Sequence, residues 1–446
     1  MSSVSLKRSF NEDPLAPSKK EKEDHASKIE TYLKKRKFHG AIVEVAKRLN
    51  YGDFSRGLCC GITTMGNICY LSSCSSFFCE MLDTIMSIFQ KIHVDLPASQ
   101  DELKVDKALY PFFDGMIYSF KALNGHCFPL QGSDEVFFDS AVYSLLTPVT
   151  QKKKIEQLAS VAGFFNLNTL TRYMIRVHHV LERTLLPLCI SFSAASHLFS
   201  LFYDPANKRY TLIDPNRLPP KEILRLKEVV ELVYRIATKQ TKKNEKGQLQ
   251  DLTSQHTSFG ISFIGFQGSI DPEQLPSLQQ VLTKKEFLEV SKMKINGEFL
   301  LFYAARYGDK KTVQALMSDV DSFSVNLFAA IGGKGRLDIV KLLMFHSKPS
   351  LRNPYDGLEL TLCLAARNGH LPLVEFLVQL QVSTKGKYKG LSALEHSAKA
   401  GHLETLQIIL SHQIKREEIP SCLQLAIDHG HHHVASYLKS IELEKK

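Results

Sequence analysis

A chain of 446 residues that is 44% hydrophobic and 23% charged has room for two or three domains with ordinary cores, which excludes a fibrous or wholly disordered protein. No apolar run approaches the roughly 18 residues of a membrane-spanning helix, and the polar opening Met1–Asp24 does not read as a secretory leader, so a soluble protein with no membrane partner is expected. The formal charge of +10 is spread among 46 acidic residues and carries no aromatic-interleaved motif, which argues against nucleic acid as the main partner.

Residues 1–27 are rich in Ser, Lys, Glu, Asp and Pro and are expected to be disordered. Residues 28–50 have helical spacing around Gly40. Within them the tetrad Lys34, Lys35, Arg36 and Lys37 is either a short nuclear-import signal or a solvated helix face. Helices are predicted over 76–92 and 169–186, where apolar residues recur every three or four positions. Extended runs at 187–192, 197–203 and 209–213 follow. The last two flank the turn-forming Asp204-Pro205-Ala206-Asn207-Lys208 and read as a β-hairpin. Pro219-Pro220 is expected to open a helix reaching about residue 238, 239–250 to be a loop, and 258–266 to be a further strand. Helices followed by strands suggest an α+β domain over 28–270, with a linker helix at 271–295.

From 296 to 446 one phrase recurs. AARYGDKKTVQALM (304–317) returns at 329–344, 365–378, 397–410 and 426–439, each copy punctuated by a glycine: Gly308, Gly335, Gly369, Gly401 and Gly430. Small residues such as Ala365 and Ala366 let two antiparallel helices approach. The glycine supplies the left-handed conformation that ends the first helix, and the aliphatics of the second bury against the next copy. This is the pattern of ankyrin repeats, about five helix pairs forming an all-α solenoid, and it implies a protein partner. The histidines at 429–433 coincide with the repeat's own punctuation, so a surface turn is expected there and not a metal site.

Nine cysteines, an odd number with five crowded between 59 and 79, argue for a reducing compartment over a disulfide framework. Cys69, Cys74 and Cys79 are five residues apart, which suits helix packing better than a zinc pair. Cys59 and Cys60 stand between Gly57 and Gly61. A thiol at a helix N-terminus gains acidity from backbone N–H groups and the dipole, and flanking glycine admits a substrate backbone. Such a thiol needs an imidazole and a group to orient it. His197 opens one hairpin strand and Asp214 ends the other, so the two can meet. Gly66-Asn67 should interrupt the helix that follows the thiol. His178 and His179 receive no role.

The phrases Gly57-x-Cys59-x-Gly61-Ile62-Thr63, His197-Leu-Phe-Ser-Leu-Phe-Tyr-Asp and Tyr210-Thr-Leu-Ile-Asp214-Pro215-Asn216 resemble papain-like cysteine proteases of the bacterial YopT type. The resemblance implies a papain-like fold over roughly 55–266, with Cys59 as nucleophile, His197 as general base and Asp214 as orienting acid. It calls for no cofactor and no metal. The Gln that papain-type enzymes place before the nucleophile is absent, since Asn50-Tyr-Gly-Asp53-Phe stands there, and Cys60 beside Cys59 leaves the nucleophile ambiguous by one residue. Joined to ankyrin repeats, the arrangement resembles effectors that Legionella species inject into host cells. That implies a host protein on the repeats, a peptide or protein substrate at the thiol, and a life in host cytosol or nucleus. A catalytically idle scaffold acting only by binding is the competing expectation.

Overall fold

The computed structural model describes residues 38–49, 51, 58–94, 109–123, 155–194, 197–238, 255–317, 323–346, 357–412 and 416–443. The segment 1–27, the tetrad at 34–37 and Gly57 lie outside the described residues.

Six strands form one antiparallel sheet: β1 (Ile155–Phe165), β2 (Leu188–Ala194), β3 (His197–Asp204), β4 (Arg209–Ile213), β5 (Lys221–Ile223) and β6 (Thr257–Phe266), in the order β1-β6-β2-β3-β4-β5. Alternation decides what each face meets. Leu188, Ile190 and Phe192 of β2 with Phe199, Leu201 and Tyr203 of β3 point one way, into a core shared with α5 (Leu167–Leu181) and α6 (Leu226–Thr238). Cys189 and Phe202 point the other way, into a second core built with α1 (Phe38–Arg48), α2 (Leu58–Leu71), α3 (Ser75–Val94) and α4 (Leu109–Leu123).

Helix α2 lies between the sheet and α4. Its glycines let it do so: a Cβ on Gly61 would stand 2.7 Å from the Met116 carbonyl oxygen of α4, and one on Gly66 would stand 2.7 Å from Ile213 of β4. Asn67 donates to Ser191 Oγ at 3.0 Å, and Ser191 pairs with Ser200 at 2.5 Å. The expected interruption at Gly66-Asn67 therefore does not occur. The helix runs unbroken to Leu71 because close packing on both sides outweighs the weak helical propensity of the two residues. The helix expected from Pro219 also differs. Lys221–Ile223 first pairs with β4 (Tyr210 opposite Ile223), since the edge of the sheet has free backbone groups, and α6 starts only at Leu226. The helix predicted over 169–186 ends at Leu181. β1 and α4 have no counterpart in the sequence reading, because neither segment has a clean period.

Residues 271–295 form three short helical pieces, Pro272–Gln274, α7 (Leu278–Val281) and α8 (Lys284–Lys292). Leu278, Val281 and Val290 are buried in the core of the sheet. Five helix pairs follow: α9 (Leu300–Tyr307) with α10 (Lys310–Met317), α11 (Val325–Gly333) with α12 (Leu337–His346), α13 (Leu358–Asn368) with α14 (Leu371–Gln379), α15 (Ala393–Ala400) with α16 (Leu403–His412), and α17 (Ile419–Asp428) with α18 (His432–Leu443). The punctuating glycines all have positive φ, 65° to 80°, which is why a side chain there would be strained.

The first pair is fixed to the sheet. Asp309 Oδ2 accepts the Ala162 backbone N–H of β1 at 2.9 Å, the Tyr307 hydroxyl meets Ser193 Oγ of β2 at 3.0 Å, and the Tyr307 ring covers Gly260 of β6. Phe164 packs edge-on to Tyr303 at 5.3 Å. One continuous apolar core thus runs from Val161 of the sheet to Leu438 of the last pair.

Candidate active site

Cys59 is the second residue of α2, half-buried in the first turn, where unpaired backbone N–H groups give the helix its positive end. One turn on, Thr63 donates its hydroxyl to the Leu198 carbonyl at 3.0 Å. That bond ties the thiol end of α2 to the start of β3. His197 is the first residue of β3, and Asp214 immediately follows β4. The antiparallel ladder, with Ser200 opposite Ile213, brings them to one end of the sheet.

His197 Nε2 and Asp214 Oδ1 are 2.7 Å apart. Asp214 is 1% exposed. The same oxygen accepts the Asn216 backbone N–H at 3.0 Å, and Arg217 Nε stands 3.5 Å from the other oxygen. The imidazole stacks on Phe199 with ring centroids 5.7 Å apart and an interplanar angle of 23°. The Asn216 amide nitrogen lies 3.3 Å from Nε2 and 3.5 Å from Nδ1, over the same ring. With Nε2 engaged by Asp214, Nδ1 is the ring nitrogen left for sulfur.

The electrostatics follow from these contacts. Burial raises the Cys59 thiol, but the hydrogen bond and charge of His197 and the backbone N–H groups of Leu198 and Cys60 outweigh it, and the thiol sits below its ordinary value. Burial lowers His197, whereas the bonds and charges of Asp214 and Cys59 lift it to about 9. The contact shifts the pair toward a thiolate beside an imidazolium. Cys60 is different: burial, together with the charge of Cys59, pushes it up to about 12. Of the two adjacent cysteines, the structure puts Cys59 against the imidazole.

Three contributors stand in the quoted phrases but received no role from the sequence. Thr63 is one helical turn from Cys59, Phe199 is two strand residues from His197, and Asn216 completes the Asp-Pro-Asn phrase. Helical and strand periodicity marked the first two. A further cation came from elsewhere: Lys334, at the end of α11, is close enough to Cys60 for their charges to interact. No local sequence signal links positions 60 and 334.

Other singled-out residues have plainer surroundings. Cys69 is fully buried in α2, whereas Cys74 lies in the turn before α3 and donates to the Ser72 carbonyl at 3.2 Å. His429, His431 and His433 bond the backbone carbonyls of Leu425, Lys399 and Gly401 at 3.0, 3.1 and 2.9 Å, so the last two tie the fifth pair to the fourth. His178 Nδ1 meets the Tyr210 hydroxyl at 2.8 Å. Among the described residues no group of three or more His, Cys, Asp or Glu side chains is placed to hold a metal, and no helix is long and apolar enough to cross a membrane.

The family model for ankyrin repeats in three copies matches residues 327–418 and 362–446. The C-terminal region is thus an ankyrin-repeat module, a class of surface that binds protein partners. Over 107 residues the chain is 35% identical to the ankyrin repeat and KH domain-containing protein mask-1 of Caenorhabditis elegans. That likeness takes in 23% of this chain and 4% of the relative's length.

Proposed function

We propose that this protein is a papain-like cysteine protease or related acyl-transfer enzyme whose ankyrin repeats deliver it to a protein partner. The observation that carries the reading is the contact sequence from the Cys59 sulfur through the His197 ring to the Asp214 carboxylate, with 2.7 Å between ring and carboxylate. The thiol-bearing helix buried against an antiparallel sheet, with imidazole and carboxylate at the ends of adjacent strands, supports a papain-like domain.

The Cys59 thiolate adds to a peptide or isopeptide carbonyl carbon, and the carbonyl electron pair moves onto oxygen. The first-turn N–H groups of α2, which have no acceptor within the helix, would receive the developing oxyanion. As the tetrahedral adduct collapses, the C–N bond breaks and the His197 imidazolium gives its proton to the departing amine. The neutral imidazole then takes a proton from water. The hydroxide attacks the thioester, releasing the acid and restoring thiolate and imidazolium. Asp214 keeps the ring oriented and stabilises its cationic form. An acceptor amine in place of water gives transfer instead of hydrolysis.

A pool of proteome-derived peptides tests this directly. The full chain should generate new termini that the Cys59→Ala variant does not. Identical peptide profiles for the two proteins would sink the enzyme reading and leave a binding scaffold. The resemblance to translocated Legionella effectors extends the proposal to a host protein as partner and to host cytosol or nucleus as location. Tagged chain confined to the bacterial cell during infection would dismiss that extension.

A further inference from the structure

The first helices of the first three repeat pairs, together with the short strands Glu298–Phe299 (β7) and Lys387–Tyr388 (β8), enclose a groove of about 500 Å³. Its charge is lopsided. Arg306, Lys334 and Arg367 line it against the single carboxylate of Glu298, with Phe302 and Tyr388 as its aromatic walls. The three cations stand at corresponding places, in the last turn or cap of successive first helices. Arg306 and Arg367 lie over the rings of Tyr307 and Tyr388 at 6.0 and 5.9 Å, and among the described residues neither has a carboxylate within ion-pair distance. Lys334 is lowered from its ordinary value by burial and then by the nearby charges of Arg306 and Arg336. The excess of cations over carboxylates in the lining suits an anionic ligand.

The groove adjoins the thiol site through two connections. Lys334 interacts with Cys60, the neighbour of the nucleophile. Arg306 precedes Tyr307, which is seated on a cross-sheet row in which Ala162 faces Gly260, Gly260 faces Ser193, and Ser193 faces Leu198. Leu198 is the residue whose backbone bonds the Cys59 sulfur and whose neighbour is His197. The repeat groove and the thiol are thus fixed to one rigid edge.

We propose that this groove binds an acidic, extended stretch of the protein substrate, with its carboxylates on Arg306, Lys334 and Arg367, and presents the adjoining residues to Cys59. Adjacent helices pack about 8–10 Å apart and an extended chain advances about 3.3 Å per residue, so the ladder suits acidic residues spaced about three apart. The role in presentation rests on the thiol site being catalytic; the groove's preference for acidic chain does not.

The probe is a fluorescein-labelled peptide of about twelve residues carrying Glu at every third position. It is titrated by anisotropy against the full-length Cys59→Ala protein, beside a peptide with Gln in place of Glu. The acidic peptide should bind at least about tenfold tighter and weaken as salt is raised. The double variant Arg306→Glu and Arg367→Glu should bring it to the level of the Gln peptide. A charge-matched control, Lys227→Glu with Lys439→Glu, both exposed and remote from the groove, should leave binding within about twofold. Equal affinity for the two peptides, or equal loss in both double variants, overturns the inference. Unchanged thermal unfolding of the groove variant excludes misfolding as the cause. Groove binding without Cys59-dependent peptide cleavage would keep the acidic docking surface and discard the protease reading, so the two failures are separable.

Discussion

Replacing His197 by alanine should remove the main influence that lowers Cys59 and leave an ordinary half-buried thiol. An imidazole held at about 9 instead of its ordinary 6.5 corresponds to roughly 3 kcal/mol favouring the imidazolium, supplied by Asp214 and Cys59. The same attraction acts on the sulfur. Without the ring, Cys59 keeps burial, which raises it, and the N–H groups of Leu198 and Cys60, which lower it. Loss of a contacting opposite charge typically lowers the ionised fraction by about tenfold or more, so the thiolate population at pH 7 should fall by that order. The more basic thiolate is intrinsically more nucleophilic and returns part of this, leaving a drop in alkylation rate of about threefold or more. The assay is time-resolved reaction with iodoacetamide, read by intact mass and mapped to Cys59. Below its pKa the variant should gain about tenfold in rate per pH unit, and the parent's rate should level off at a lower pH than the variant's. Equal rates for parent and variant at pH 7, or a parent thiol that titrates near 9, would refute the ion-pair argument.

Further expectations follow from individual contacts. Hydrolysis should have a bell-shaped pH profile, because the thiolate exists above the lowered Cys59 value and the proton-donating imidazolium below about 9. Asp214→Asn removes the charge that lifts His197, so the alkaline limb should move to lower pH; a limb still near 9 would show that Asp214 does not act on the ring. Gly61→Val places a side chain 2.7 Å from the Met116 carbonyl oxygen and should destabilise the protein by about 1–3 kcal/mol in urea titration. Asp309→Ala leaves the Ala162 N–H buried without its acceptor and removes the bond to the Thr312 N–H, at a cost of about 1–3 kcal/mol. An unchanged urea midpoint would mean that the repeats are not anchored through this carboxylate.

The repeat region was legible because its signal is periodic. A glycine that must adopt positive φ and alanines that must admit a neighbouring helix recur in phase, and each copy reports the same local geometry. The hairpin was legible for a related reason: a turn-forming cluster between two alternating runs places His197 and Asp214 at one end whatever else the chain does. Local signals misjudged α2, where Gly66 and Asn67 look like a break but are close-packing and hydrogen-bonding residues under the sheet. They also misjudged Lys221–Ile223, where an open sheet edge claimed residues that follow a proline pair well suited to starting a helix.

The sequence by itself determined that the chain ends in stacked helix pairs and that an imidazole and a carboxylate share a strand end, since both depend on short-range periodicity. Only the tertiary structure decided which of two neighbouring cysteines meets that imidazole. The distinction depends on how α2 is rotated by its contacts with Met116, Ile213 and Leu198. It also decided that Lys334 comes within electrostatic reach of Cys60, because docking of the first repeat through Tyr307 and Asp309 joins residues more than 200 positions apart that no local pattern connects.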